Sequence, residues 1–291
     1  MNALKQAMFF EKKENGIVQC LLCPHKCEVH PDNTGICDVR KNVAGVLYSL
    51  NYELVSSLGF DPIEKKPLYK FYPGGFILSV GTVGCNFSCP FCQNYSIAKA
   101  KLSQVETTTV ASKELVAKAI SMRPQGNIGI AYTYNEPFVW YEFVYETAKL
   151  AREESLVNVL VTNGFISQEP LKLLLPYIDA MNIDLKGYNK EFYKNIVKGN
   201  LEDVKATIEV SAKMCHVELT TLVIPGLNDS LEEMEQMCKW ISTISKDMPL
   251  HLSRFFPKYK MTDRPPTSLE VLTKLEAVAK KYLNNVFLGN I

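Results

Sequence analysis

From residue 76 onward the chain alternates between two kinds of apolar pattern. Short runs rich in β-branched residues, FILSVG (76–81), IGIAYT (128–133), VNVLVT (157–162), DAMNID (179–184), VELTTLVI (217–224), LHLSRFF (250–256) and a last NVFLG, have the length and composition of strands. Between them apolar positions recur at helical spacing around 112–122, from Pro137 onward, over 168–176, within 189–213 and from Thr267 to Leu283. A capping-box pair, Asp229 and Glu232, predicts the start of one more helix, carrying Met234 and Cys238. Such alternation predicts right-handed βαβ units on a parallel sheet, and an open doubly wound sheet and a full or partial barrel both satisfy it.

The first part of the chain reads differently. VLYSLNYELV (46–55) predicts a small hairpin, and the proline- and glycine-containing DPIEKKPLYKFYPGG (61–75) predicts an irregular connector. The pattern therefore divides the chain near residue 70, into a cysteine-rich extension over 1–70 and an α/β body over 71–291. Within the body, polar residues gather just after the strands: GTVGCNFSCPFC after the first, then YTYNEP, TNG, DLKG and PGLND. In α/β folds chemistry sits at those carboxyl ends.

Charge narrows the partners. With 32 basic and 31 acidic residues the net charge is +1 and no Lys/Arg-rich run stands out, so neither nucleic acid nor a membrane surface is expected. No apolar run approaches the ~18 residues of a membrane span, and the N-terminus lacks the apolar stretch and small-residue cleavage site of a signal peptide. A cytoplasmic protein is expected, with its nine cysteines reduced. Seven of these fall in two groups, Cys20, Cys23, Cys27, Cys37 and Cys85, Cys89, Cys92, which is the spacing of metal ligands. Cys238 lies at helical spacing with Leu231, Met234 and Ile241 and reads as a small core residue.

Cys85-x3-Cys89-x2-Cys92 lets one loop wrap three corners of a cubane [4Fe–4S] cluster and leaves the fourth iron without a protein ligand. A zinc site borrowing a ligand, or a cysteine-rich turn, are the alternatives. CNFSCPFC, with Phe91 before the last cysteine, resembles the signature of the radical S-adenosylmethionine (SAM) enzymes. The strings DPIEKKPLYKFYPGG, GTVGCNFSCPFCQN, AYTYNEP, VTNGF, NIDLKG and RFFPKYKM resemble the branch related to pyruvate formate-lyase activating enzymes, most nearly its AmmeMemoRadiSam-system member. Members of that branch often continue past the Leu-Gly-Asn string with a cysteine-bearing tail, whereas this sequence stops at Ile291.

The resemblance implies a partial (β/α)6 TIM-like barrel with an N-terminal cysteine-rich metal-binding extension. It implies a [4Fe–4S] cluster on Cys85, Cys89 and Cys92, with SAM chelating the open iron and Phe91, Asn135, Glu136, Thr162, Asn163, Asp184, Lys186 and Ile224 around SAM. Tyr134-Asn135-Glu136 stands where the family has a Gly-Gly-Glu string that receives the SAM ammonium; a helix start at Pro137 is the structural alternative. Val161 replaces an aspartate that helps the activating enzymes bind a monovalent cation, and Tyr259 stands where they place a histidine. Asp184 and Lys186 match the Asp-x-Lys of the activating enzymes, and strand alternation places both side chains on one face. The implied reaction is one-electron reduction by flavodoxin or ferredoxin, reductive cleavage of SAM and hydrogen abstraction by a 5'-deoxyadenosyl radical.

Later strands supply candidate substrate contacts: Glu218 with Thr220, His251 with Ser253, and Arg254 on the opposite face. Cys20-x2-Cys23-x3-Cys27-x9-Cys37 fits a closed second site, Zn(Cys)4 or a second [4Fe–4S] cluster, acting as a staple for a small module or as an electron relay. Three functions compete: a radical SAM enzyme acting on a small molecule or an undefined substrate of the AmmeMemoRadiSam system and its partner proteins, an activase making a glycyl radical on a protein partner, and an iron–sulfur carrier or zinc-binding interaction protein without SAM chemistry.

Overall fold

The computed structural model describes residues 4–291. Its centre is an eight-stranded sheet whose order from one edge is Val286–Gly289, Leu250–Arg254, His216–Val223, Ala180–Asp184, Val157–Thr162, Asn127–Tyr132, Phe76–Gly81 and Ser57–Pro62. The first seven are mutually parallel and follow sequence order without reversal, while Ser57–Pro62 joins the edge antiparallel. A doubly wound sheet would reverse its order at a switch point; this one does not. The fold is α/β with a mostly parallel sheet, and the predicted strands coincide with the observed ones to within one residue at each end, apart from LHLSRFF, which stops two residues early at Arg254.

Side-chain alternation sorts the two faces. Leu78, Val80, Ile130, Tyr132, Leu160, Met181 and Ile183 pack into the core shared with the helices. Ile77, Ala131, Val159 and Ala180 point the other way and are covered by Ile63 and Leu68 of the irregular connector. That connector is pinned under this inner face: Asn182 Nδ2 donates to the Pro67 carbonyl at 2.8 Å, and the Tyr69 and Lys70 amides donate to Glu218 at 3.0 and 2.7 Å. The connector closes the amino-terminal end of the inner face and leaves the carboxyl end for chemistry.

Residues 5–49 form two small antiparallel sheets, Lys5–Gln6/Val46–Ser49/Arg40–Val43 and Phe10–Lys12/Val18–Cys20/Glu28–Val29. The hairpin predicted over 46–55 is not formed. Its first strand turns back on Arg40–Val43 through Ala44 and Gly45, both at positive φ, and Leu54–Val55 pairs instead with Thr108–Thr109. A fully buried ion pair fastens this region to the body: the Arg40 guanidinium holds both Glu142 oxygens, at 3.0 and 2.7 Å. The helix predicted to start at Asp229 starts one residue later, with the Ser230 hydroxyl accepting from the Glu233 amide at 3.0 Å. No helix among the described residues is long and apolar enough to cross a membrane.

Candidate active site at the carboxyl ends of the strands

The loop that follows Phe76–Gly81 can take its course only because two positions lack side chains. A Cβ on Gly81 would sit 2.6 Å from the Thr133 carbonyl oxygen; one on Gly84, whose φ is +103°, would sit 2.9 Å from the Cys37 carbonyl oxygen and from Val39. Beyond Gly84 the loop is held by backbone bonds to distant elements, Ser88 N to Val197 O at 3.0 Å and Lys260 N to Pro90 O at 2.9 Å. Phe91, buried, stacks parallel to Phe192 with ring centres 6.3 Å apart. The result presents Cys85, Cys89 and Cys92 to one cavity of about 270 Å³.

The same cavity is lined by Phe91, Asn135, Glu136, Thr162, Asn163, Asp184, Lys186 and Thr220, so most of the residues singled out along five separate strands and the loops after them converge. Among the described residues lining it, the three cysteines are the sole thiols and there is no histidine. Among all described residues no three His, Cys, Asp or Glu side chains stand as the ligand set of a single metal ion. Three thiols spread around a cavity suit a multi-iron cluster, in which each binds its own iron.

Burial opposes ionisation of these thiols. It pushes Cys89 up to about 11, an effect that the Lys186 ammonium partly offsets, and it raises Cys92 as well. Cys85 is pushed up further, by burial and then by the negative field of Glu136, against which Lys99 works. Lys99 Nζ donates to the Cys85 carbonyl at 3.2 Å. Two ammonium groups thus flank a site that becomes strongly negative once three thiolates form, and the Phe87 amide and Asn163 Nδ2 approach Cys85 Sγ at 3.4 and 3.7 Å.

Glu136 is both a helix cap and a cavity wall. Its Oε1 accepts from Phe138 N at 3.0 Å and Thr162 Oγ1 at 2.7 Å, and its Oε2 accepts from Asn163 N at 2.8 Å. A carboxylate has about four acceptor positions; one of those on Oε2 is left. Burial outweighs these donors and lifts the carboxyl to about 7. Asn135 ties the cysteine loop down, accepting from Thr82 N at 3.0 Å and donating to the Gly84 carbonyl at 2.9 Å. Tyr134 carries the left-handed φ, +72°, that a glycine would adopt freely. Asp184 and Lys186 form an ion pair at 2.9 Å. Burial opposes the Lys186 charge, but Asp184 and then Cys89 raise its pKa.

Four expectations are corrected. Ile224 is wholly buried and does not line the cavity. Glu218 and His251 share the inner face with Thr220 and Ser253, as alternation requires, but sit two residues lower: Glu218 is sealed in by His216 at 2.9 Å, His251 at 2.6 Å and the connector amides. Arg254 turns away and donates to the Thr267 carbonyl at 2.8 Å. Of the candidate substrate contacts Glu218, Thr220, His251 and Arg254, Thr220 alone faces the cavity, where Ser253 joins it.

Residues 79–241, more than half of the chain, match the sequence profile of the radical SAM superfamily. An uncharacterized protein of Methanocaldococcus jannaschii is 41% identical over 99% of this chain and 86% of its own length. The chain belongs to the radical SAM superfamily. Membership implies a [4Fe–4S] cluster and SAM as cofactors. This radical SAM protein is also 25% identical to a putative glycyl-radical enzyme activating enzyme of M. jannaschii, over 70% of this chain and 77% of the other. With the pyruvate formate-lyase 1-activating enzyme of Escherichia coli it shares 22% identity over 70% of this chain and 88% of the other. In fold it is similar to SuiB of Streptococcus suis, with a TM-score of 0.57 and 12% identity over 72% of this chain and 48% of that one. A radical SAM methyltransferase from Sphaerobacter thermophilus gives a TM-score of 0.55 with 18% identity over 75% and 67%.

Sequence reasoning missed Asn86, Lys99 and the Arg40–Glu142 pair. Each acts through partners remote in sequence: Asn86 Nδ2 donates to the Phe165 carbonyl at 2.7 Å, and its Oδ1 accepts from Asn163 at 2.8 Å. No local periodicity announces such a role; the one signal was the position of Asn86 directly after a candidate ligand.

Proposed function

We propose that Cys85, Cys89 and Cys92 hold a [4Fe–4S] cluster with one open iron, and that SAM binds there in the cavity they share with Glu136, Asp184 and Lys186. The observation that carries this reading is the convergence of three thiols, a carboxylate with a free acceptor position and an ion pair on one cavity with no fourth thiol or imidazole among its described lining residues. When bound, the cluster supplies one electron that splits SAM into methionine and a 5'-deoxyadenosyl radical, which takes a hydrogen atom from the substrate.

The chain's own residues do the positioning. Lys99 and Lys186 offset thiolate charge, Glu136 receives the SAM ammonium through a charge-assisted hydrogen bond, and Thr162 and Asn163 hold the Glu136 carboxylate in its orientation. Asp184 and Lys186 offer both charges to the remaining polar groups of SAM. Thr220 and Ser253, across the cavity, face the substrate. We read the body as a partial (β/α)6 barrel over 71–291 with a cysteine-rich extension over 1–70, nearest to the AmmeMemoRadiSam-system branch on its motif strings. A flavodoxin or ferredoxin is the expected donor. The two relatives that bear activating-enzyme names support a second reading, hydrogen abstraction from a protein partner.

The test is anaerobic reconstitution followed by dithionite and SAM. The reading requires 5'-deoxyadenosine and methionine in equal amounts, lost when Cys85, Cys89 and Cys92 are replaced by serine. Cluster-loaded protein that leaves SAM intact would sink it. A glycyl-radical EPR doublet on an added partner would decide for the second reading.

A further inference from the structure

The four N-terminal cysteines are not used by the site above, yet they lie against it. Cys20, Cys23, Cys27 and Cys37 line one small, almost wholly apolar cavity together with Leu22, Phe138 and Arg40. The void measures about 20 Å³, and no three of these side chains stand close enough together to be the ligand set of one metal ion. Four thiolates on one zinc, each about 2.3 Å from the metal, stand ~3.8 Å apart in mutual contact and enclose no such void. A cubane, with an iron at each thiolate and sulfide between, does need one.

A second observation points the same way. Arg40 is fully buried, its terminal nitrogens are committed to Glu142, and its Nε has no hydrogen-bond partner. A buried N–H without an acceptor is rare enough to require an explanation. Arg40 lies in the wall of this cavity, where cluster sulfur would be the acceptor. Hydrogen bonds of this kind to cluster sulfur, and positive charge beside it, are among the levers that set a cluster's potential.

The wall between the two cysteine groups is one residue thick. Asn86, covalently next to Cys85, lines the N-terminal cavity. Its carbonyl lies 2.8 Å from Nε2 of His25, which sits between Cys23 and Cys27. Its side chain is joined to Asn163, whose Nδ2 also reaches Cys85 Sγ at 3.7 Å. On the other side, the backbone at Gly84 lies against the Cys37 carbonyl. At its outer rim the site meets solvent at Ile36, beside Cys37 and 50% exposed.

We propose that Cys20, Cys23, Cys27 and Cys37 hold a second [4Fe–4S] cluster, which takes one electron from a reduced flavodoxin or ferredoxin at the Ile36 rim, leaving that donor oxidised by one electron, and passes it across Asn86 to the Cys85–Cys89–Cys92 cluster. In each transfer the N-terminal cluster is oxidised by one electron and its neighbour is reduced by one, with no proton or atom moved. The inference rests on the reading of the three-cysteine site given above.

The test uses the full chain, reconstituted anaerobically, with iron, acid-labile sulfide and zinc counted and EPR recorded after dithionite reduction. The expected content is about eight irons per chain, two cubanes, and no zinc, with an EPR signal broadened by interaction between two reduced clusters. Replacing Cys20 and Cys27 by serine, or Cys85 and Cys89 by serine, is expected to halve the iron and leave one sharp signal. Arg40→Lys keeps the charge facing Glu142 and removes the Nε donor; it is expected to lower the potential of one cluster and leave the other in place. About four irons lost only with Cys85 and Cys89, accompanied by one zinc or by no second metal, overturns the relay and spares the active-site reading. Irons that are lost only with Cys20 and Cys27 overturn that reading too. If the cysteine variants fail to fold, the wild-type metal count and the width of its EPR signal still decide.

Discussion

On the proposed reading Glu136 receives the SAM ammonium, so its ionisation couples folding to SAM binding, and Glu136→Gln isolates it. Burial lifts this carboxyl from 4.5 to about 7 despite three donors. At about 1.4 kcal/mol per tenfold, the ionised form in the folded chain carries a penalty of about 3 kcal/mol. Because the folded chain holds the proton more tightly than the unfolded chain, the stability that goes with the neutral carboxyl is fully present below pH 4.5 and is lost as the pH rises through about 7. An isosteric glutamine removes this pH dependence. It also turns an NH2 toward the Asn163 amide, a buried mismatch that costs ~1–3 kcal/mol, so at pH 8 the two effects nearly cancel. For SAM the consequence is larger. A charge-assisted hydrogen bond to its ammonium is worth ~1.5–3 kcal/mol, so Glu136→Gln is expected to weaken SAM roughly tenfold to a hundredfold. In the wild type, affinity should fall by up to about tenfold for each pH unit below 7, since the proton must leave before the ammonium can pair. Denaturant unfolding at pH 5 and pH 8 and anaerobic calorimetry with SAM measure both effects. Wild-type SAM affinity that stays flat between pH 8 and pH 6, or equals that of Glu136→Gln at pH 8, would refute the reasoning.

Three further outcomes follow from the same geometry. Lys186→Met removes the ammonium that favours the Cys89 and Cys92 thiolates, so potentiometric EPR should show the active-site cluster reduced at a lower potential; an unchanged potential contradicts this. Gly84→Ala forces a side chain into a left-handed backbone against the Cys37 carbonyl and should destabilise the chain by roughly 2 kcal/mol, read from its urea midpoint. Glu142→Gln leaves the buried Arg40 charge without its carboxylate and should cost ~3–5 kcal/mol by thermal unfolding; a loss below about 1 kcal/mol would show that this pair does not anchor the N-terminal sheets.

The body of the fold was legible because its signals are local. Strands such as Val157–Thr162 carry β-branched residues between turn-forming ends. Asp184 and Lys186 do face one cavity, but the strand stops at Asp184 and it is the loop after it that brings Lys186 alongside. Depth along a strand has no such signal. Glu218 and His251 are inward-facing, but the connector over residues 61–75 caps them, and its packing depends on contacts some 150 positions away, such as Tyr69 with Glu218. The misplaced hairpin has a local reason: Ala44 and Gly45, both at positive φ, make the turn, and NVAGV was the signal passed over in favour of the more apolar run after it. Thiol spacing grouped the cysteines correctly into two cavities, but that those cavities share Asn86 could be learned only from the folded chain.

The central claim is that one iron of the Cys85–Cys89–Cys92 cluster is left for SAM. EPR of the reduced, reconstituted chain before and after addition of SAM tests it most directly, in a variant with Cys20 and Cys27 replaced by serine so that a single cluster is observed. The account predicts that SAM changes the g-values of that signal. A spectrum identical with and without saturating SAM would mean that the fourth position is already filled by the protein and would contradict the account.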